Sequence, residues 1–180
     1  REPLLPHMVS TEGPALAVGD LNNDGLDDVF VGGARGKKAG LFVQQATGVF
    51  VPWRSDVLNA DSLYEDVDAI WNDVNGDGWR DLVVVSGGNE YYGADSLKWP
   101  RVYLNQGGKS FTKTSIKGVS STLSCVVPMD VNNDGKTDLF FGGRAITFAY
   151  GAVPNSYLMQ NDGKGGFTDV TARAAPGLEQ

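Results

Sequence analysis

Three nine-residue segments of the chain repeat the same spacing of oxygen-bearing side chains. Each has Asp at positions 1, 5 and 9, Asn at position 3 and Gly at position 6, and the segments are 20–28, 73–81 and 130–138. Calcium takes about six to eight oxygen ligands at about 2.3–2.6 Å, so a short loop with several carboxylates and an amide oxygen suits this ion. The Gly at position 6 permits the positive φ that turns such a loop back on itself.

We therefore predict three Ca²⁺ sites, one in each segment. Position 7 differs freely among the copies, so only its backbone carbonyl would be a ligand, whereas the other four positions would use side-chain oxygens. The predicted ligands are Asp20, Asn22, Asp24, Leu26 and Asp28; Asp73, Asn75, Asp77, Trp79 and Asp81; and Asp130, Asn132, Asp134, Lys136 and Asp138. The alternative is three polar turns without metal, because such turns also favour Asp, Asn and Gly.

Position 12 separates two classes of calcium loop. An EF-hand requires a bidentate Glu at this position and a helix on either side. Here position 12 is Val31, Val84 or Phe141. The flanking segments are short runs of β-branched and aromatic residues bounded by glycine, which favours strands. We interpret the segments as calcium loops inside β-hairpins.

The repeat extends beyond the loops. After each loop come a strand that ends in a glycine pair, a variable stretch, another apolar strand, a Gly-containing turn and a short strand built on Phe. Four strands in hairpin order form the blade of a β-propeller, and a lone blade must stack on neighbours to bury its faces. The predicted blades are approximately 15–52, 67–114 and 124–171, with flanking segments 1–14 and 172–180.

The motif Asp-x-Asn-x-Asp-Gly-x-x-Asp, followed by a strand and a glycine pair, occurs three times in register. It resembles the FG-GAP or VCBS repeats of integrin α-subunit propellers and many bacterial surface proteins, and it is closer to the bacterial variant because glycine pairs replace the usual Phe-Gly and Gly-Ala-Pro marks. The resemblance covers roughly residues 15–171. It implies an all-β fold of four-stranded antiparallel β-propeller blades, three here within a larger seven-bladed ring. It also implies calcium binding in the first hairpin of each blade.

Composition argues against several classes of partner. The net charge is -7, and the aspartates at positions 1, 5 and 9 of the three loops are nine of the 22 acidic residues, so bound calcium would cancel much of the charge. A nucleic-acid partner would require a basic surface, and no segment approaches the ~20 apolar residues of a membrane span.

The chain begins with Arg1 rather than Met, so we expect a processed or excised piece of a longer protein. The resemblance implies an extracellular, cell-surface or periplasmic location.

The loops between the second and third strands of each blade would lie on the face opposite the calcium loops. In the second and third blades these loops are long and rich in residue types that dominate binding hot spots. The candidate ligand-binding residues are Glu90, Tyr91, Tyr92, Trp99, Arg144, Phe148 and Tyr150. The alternative is that these aromatic side chains fold back and cover their own loops.

Two classes of function fit this organisation. The first is a non-catalytic, calcium-stabilised recognition or adhesion module that binds a protein or a carbohydrate. The second is the propeller portion of a polysaccharide-acting enzyme, which would need two carboxyl groups about 5–10 Å apart. Only Glu90, Asp95 and Arg144 are candidate catalytic groups on the loop face, and no other blade repeats them. We favour binding and predict no catalytic residue, with further blades of the parent chain or self-association covering the open blade faces.

Overall fold

The structure, a computed structural model, describes residues 14–88, 90–91, 93, 95–149 and 151–178. These residues form twelve strands in three antiparallel sheets, each built from four consecutive strands in hairpin order. This confirms the predicted all-β fold with three four-stranded blades. The seven-bladed ring stays a prediction.

The first sheet contains β1 (Leu16–Gly19), β2 (Asp28–Val31), β3 (Gly40–Gln44) and β4 (Phe50–Pro52). The second contains β5 (Asp66–Asn72), β6 (Asp81–Ser86), β7 (Arg101–Asn105) and β8 (Phe111–Ser115). The third contains β9 (Thr122–Met129), β10 (Asp138–Ala145), β11 (Tyr157–Asn161) and β12 (Phe167–Asp169). Two short helices, α1 (Asp56–Asn59) and α2 (Thr171–Ala174), follow the first and third sheets. Over the described residues, no helix has the length and apolar character needed to cross a membrane.

The second sheet is buried on both faces. In β6, Leu82 and Val84 belong to the core shared with the first sheet, whereas Val83 and Val85 belong to the core shared with the third. Successive side chains of a strand point to opposite faces, so this strand is apolar throughout, apart from its two ends, and all six of its residues are buried. The first strands of neighbouring sheets also contact each other, β1 with β5 and β5 with β9. The three sheets therefore stack side by side as propeller blades do.

The outer faces of the first and third sheets are open and apolar. On β1, Leu16 and Val18 are 61% and 54% exposed, whereas the alternate residue Ala17 is buried against the second sheet. On β9, Val127 and Met129 are exposed in the same way. Exposed apolar surface is a common feature of protein–protein interaction sites, and the covering of these faces by further blades or a second copy stays a prediction.

A buried polar network joins the first and second sheets. The Arg101 guanidinium donates to the Asp66 carboxylate, and the other oxygen of Asp66 accepts the backbone N–H of Gly33 in the first sheet at 2.8 Å. The Tyr103 hydroxyl donates to Asp61 at 2.6 Å. Buried charges are tolerated when they are paired and hydrogen-bonded. This network could not be predicted from the sequence, because Asp61 and Asp66 lie in a polar connector without any motif.

Candidate functional site

The three nine-residue loops, which the sequence predicts to bind calcium, fold in the same way around the aspartate at position 1. In the first loop, Asp20 Oδ2 accepts the N–H of Gly25 at 2.8 Å, and Asp20 Oδ1 accepts the N–H of Asp24 at 3.2 Å. The Oδ1 atom of Asn22 accepts from the same Asp24 N–H at 3.1 Å. The second and third loops repeat these bonds at 2.8–3.2 Å. The side-chain oxygens of positions 1 and 3 therefore converge on one point in every loop.

Two positions in each loop have positive φ. Position 6 has φ of 84°, 84° and 78° in Gly25, Gly78 and Gly135, as its glycine predicts. Position 4 has φ of 57°, 77° and 58° in Asn23, Gly76 and Asn133. The positive φ at position 4 was not predicted, although asparagine and glycine are residue types enriched in this conformation. The loop shape thus depends on both positions.

The aspartate at position 9 is buried beneath each loop. Asp28, Asp81 and Asp138 are at most 1% exposed. In the second loop, Asp81 accepts the N–H of Val74 at 3.0 Å and the N–H of Asn105 at 2.7 Å, one on each oxygen, and the other loops match this pattern. Burial raises the pKa of Asp28 and raises that of Asp81 to about 6, and the nearby loop carboxylates add to the effect.

The donor set of each loop suits a hard cation. It consists of three carboxylates, one amide oxygen and one backbone carbonyl, with no nitrogen or sulfur ligand. In the described part of the chain, no three His, Cys, Asp or Glu side chains are grouped closely enough to hold a metal ion by themselves. The three aspartates of a loop are thus not gathered around one point in this structure, and their joint binding of an ion, with the amide at position 3 and the carbonyl at position 7, stays a prediction. Each carboxylate oxygen has two acceptor sites, so the bonds of the buried aspartate leave lone pairs for an ion.

The calcium loops and the β7–β8 turn lie on one face of the second blade. A Cβ atom placed on Gly108 of that turn would lie 3.1 Å from the ring of Trp79, position 7 of the loop. On the other face, the connector before β5 meets the segments that follow the second strand of the first and second blades. There the Gly36 N–H donates to the Ser62 carbonyl at 2.6 Å. The structure thus separates the calcium loops from the loops that carry the candidate ligand-binding residues.

Two of those candidates reach back to the first blade. Glu90 forms an ion pair with Arg35 of the β2–β3 loop, and the Arg35 guanidinium carbon lies 5.1 Å from the centre of the Tyr91 ring. The Tyr91 hydroxyl donates to the Leu63 carbonyl at 3.1 Å. Burial, with a smaller effect of Glu90, raises the pKa of the Glu65 carboxyl. Arg35 and Leu63 are residues of this surface that sequence analysis missed.

Three other candidates lie among the described residues. Trp99 is half-buried and packs against the core between the second and third sheets. Arg144 is half-buried near the end of β10, and Phe148 is 61% exposed with a φ of 61°. Tyr92 and Tyr150 lie outside the described residues. The set of ligand-binding residues stays a prediction; among the described candidates, Glu90 and Tyr91 both contact Arg35.

Three stacked four-stranded blades, each with an acidic loop in its first hairpin, define a β-propeller type of repeat protein. A family model described as FG-GAP-like repeat matches residues 73–141, and another described as FG-GAP repeat matches residues 13–49. All three loops lie inside the matched segments. No curated protein matches the chain. The chain belongs to the FG-GAP repeat family, whose repeats are typical of integrin-like propeller and adhesion modules and are generally non-catalytic.

Proposed function

We propose that the chain is a calcium-stabilised, non-catalytic recognition module of a secreted or cell-surface protein. The observation that carries this proposal is the shared geometry of the three loops. In each, the oxygens of positions 1 and 3 accept from one N–H, and a buried aspartate lies at position 9. The loops keep this geometry although the side chain at position 7 changes from Leu26 to Trp79 to Lys136. Binding of the same ligand in all three loops explains why positions 1, 3 and 9 are kept while position 7 varies.

Electrostatics supports a divalent cation as this ligand. Each loop carries aspartates at positions 1, 5 and 9, and burial already disfavours the charged form of Asp81. A bound cation reverses this balance, since it stabilises the charged carboxylates. Extracellular modules bind calcium at about 10⁻⁴–10⁻³ M, so sites of this kind fill where calcium is abundant. We place the module outside the cytoplasm on this ground: extracellular, at the cell surface or in the periplasm.

The proposed binding surface is the loop face around Tyr91. The Tyr91 ring is held by the Arg35 guanidinium and by its hydrogen bond to the Leu63 carbonyl. A ring that is already held loses little conformational entropy when it binds. Leu63 is 55% exposed and adds apolar surface, and Glu90 adds a charge. This combination suits a protein surface or a carbohydrate, on which aromatic rings stack.

Calcium stoichiometry tests the metal part of the proposal. Isothermal titration calorimetry should show three bound ions per chain, and Asp77→Ala should remove one. Asp162→Ala is the matched control, because Asp162 also accepts two backbone N–H bonds, at 2.7 and 3.0 Å, in an Asx turn that lacks the nine-residue motif. It should leave three ions bound. A stoichiometry unchanged by Asp77→Ala would overturn the loop assignment.

A further inference from the structure

Two buried asparagines tie each blade to the calcium loop of the blade before it. Asn105 ends β7 and Asn161 ends β11, and they are 1% and 3% exposed. Asn105 Nδ2 donates at 2.8 Å to the carbonyl of Leu21, position 2 of the first loop. Asn161 Nδ2 donates at 2.7 Å to the carbonyl of Val74, position 2 of the second loop. The same bond therefore occurs at both blade junctions.

Each asparagine also holds the loop and the turn of its own blade. Asn105 Nδ2 donates a further bond at 3.0 Å to the carbonyl of Arg80, position 8 of its own loop. Its Oδ1 atom accepts the N–H of Gly108 at 2.7 Å. Asn161 makes the corresponding two bonds in the third blade, both at 2.8 Å. Both amide hydrogens and the amide oxygen are used, which fixes the orientation of the side chain.

The aspartates at position 9 join these bonds into one continuous chain. The Asn105 backbone N–H donates to Asp81, and Asp81 also accepts the N–H of Val74. The carbonyl of Val74 accepts from Asn161, whose own backbone N–H donates to the position-9 aspartate of the third loop. The first loop continues the chain at the other end through the N–H of its position-2 residue. Hydrogen bonds in such a buried series polarise one another.

We propose that Asn105 and Asn161 couple calcium binding between neighbouring blades, so that filling one loop raises the affinity of the next. This inference rests on the proposed calcium sites. Position 2 lies between the ligands at positions 1 and 3, and its N–H donates to the ligand at position 9. Fixing those ligands fixes the position-2 carbonyl, which orders the asparagine of the next blade and the aspartate that its backbone contacts. A second ion then binds a loop that is already ordered, which gives positive coupling.

The first blade provides a matched control. Gln44 ends β3, and its backbone N–H donates to Asp28 at 2.9 Å, as Asn105 and Asn161 do to their own aspartates. Within the described residues, the Gln44 side chain forms no hydrogen bond to another blade. Gln44→Ala therefore removes a strand-end amide side chain without removing a bond between blades.

The test is a calcium titration followed by NMR on the ¹⁵N-labelled chain. The position-6 glycines report the three loops separately, because each donates its N–H to the position-1 carboxylate of its own loop at 2.8–2.9 Å. Asn105→Ala should raise the dissociation constants of the first and second loops roughly fivefold, the effect of one lost hydrogen bond. Asn161→Ala should do the same for the second and third loops. Gln44→Ala should change none of the three.

The outcomes separate this inference from the function on which it rests. If the NMR signals of the position-6 glycines do not change when calcium is added to the unsubstituted chain, then the calcium sites themselves are overturned. If the signals respond to calcium, but Asn105→Ala and Asn161→Ala change the dissociation constants of all three loops equally or not at all, then the coupling alone is overturned. Should either alanine variant fail to fold, Asp77→Ala gives the same decision. Emptying the second loop should weaken the first and third under coupling, and unchanged affinities there would refute it.

Discussion

The Arg101 guanidinium of the second blade donates to the Asp66 carboxylate inside the protein, where the two side chains are 2% and 5% exposed. Asp66 also accepts the backbone N–H of Gly33, so this ion pair holds the start of the second blade against the first. Removing one partner of a buried pair leaves the other charge unpaired, which costs about 3–5 kcal/mol. We expect Arg101→Ala to lower the free energy of unfolding by that amount in urea titrations.

The exposed Arg35–Glu90 pair serves as the control for this prediction. Its side chains are 47% and 42% exposed, and surface ion pairs are worth about 0–1 kcal/mol. Arg35→Ala should therefore change the free energy of unfolding much less than Arg101→Ala does. If Arg101→Ala costs no more than Arg35→Ala, then the buried network does not stabilise the junction between the blades.

Calcium should stabilise the fold in proportion to the number of filled loops. At ten times the dissociation constant each site adds about 1.4 kcal/mol, so three sites add about 4 kcal/mol. For a chain of this length 1 kcal/mol corresponds to about 2–4 °C. Excess chelator should thus lower Tm in calorimetry by about 10 °C, and added calcium should restore it. An identical melting curve in chelator and in calcium would contradict structural calcium.

The pH dependence of stability should have opposite signs with and without calcium. Asp81 has a pKa of about 6 in the folded chain, above its ordinary value of 3.8, so the folded state binds this proton more tightly than the unfolded state does. In chelator, the contribution of Asp81 to the free energy of unfolding should therefore grow as the pH falls through 6 and level off below about 4. With calcium bound, protonation competes with the ion and the same change of pH should destabilise the fold.

The isosteric variant Asp81→Asn isolates this effect. It removes the titrating group, so in chelator its Tm should rise less than that of the unchanged chain between pH 7 and pH 5. Parallel Tm changes of the two proteins over this interval would show that Asp81 does not contribute.

The loops and strands could be predicted because their signals are local in sequence. The spacing of Asp, Asn and Gly lies within nine residues, and strand runs are punctuated by glycine. The bonds between blades were missed because their partners are far apart in the chain: Asn105 and Leu21 are separated by 84 residues, and Arg101 and Asp66 by 35. The sequence does contain a signal for the asparagine bonds, since β7 and β11, the third strands of their blades, each end in Asn before a Gly-containing turn. No local rule, however, says which carbonyl the amide contacts.

The open apolar faces should drive association of the isolated chain. Leu16 and Val18 project from the outer face of the first sheet, and Val127 and Met129 from that of the third. Leu16→Lys combined with Val18→Lys should reduce self-association in analytical ultracentrifugation, because a charge is costly to bury in such a contact. Thr112→Lys, which adds a charge on exposed β8, is the control. A chain that is monomeric at all concentrations and highly stable would contradict the prediction.

Tyr91 should be a principal contact of the recognition surface. Its ring is half-buried beside Arg35, and its hydroxyl is held by the Leu63 carbonyl, so it presents an ordered aromatic surface on the face away from the calcium loops. For a ligand identified on glycan or protein arrays, Tyr91→Ala should cost about 2 kcal/mol, the threshold of a hot spot. Tyr91→Phe keeps the ring and loses only the hydrogen bond, so it should cost about 1 kcal/mol. Surface plasmon resonance measures both, and calcium stoichiometry should stay at the unchanged value in each. Normal affinity in Tyr91→Ala would show that this ring only supports its own loop.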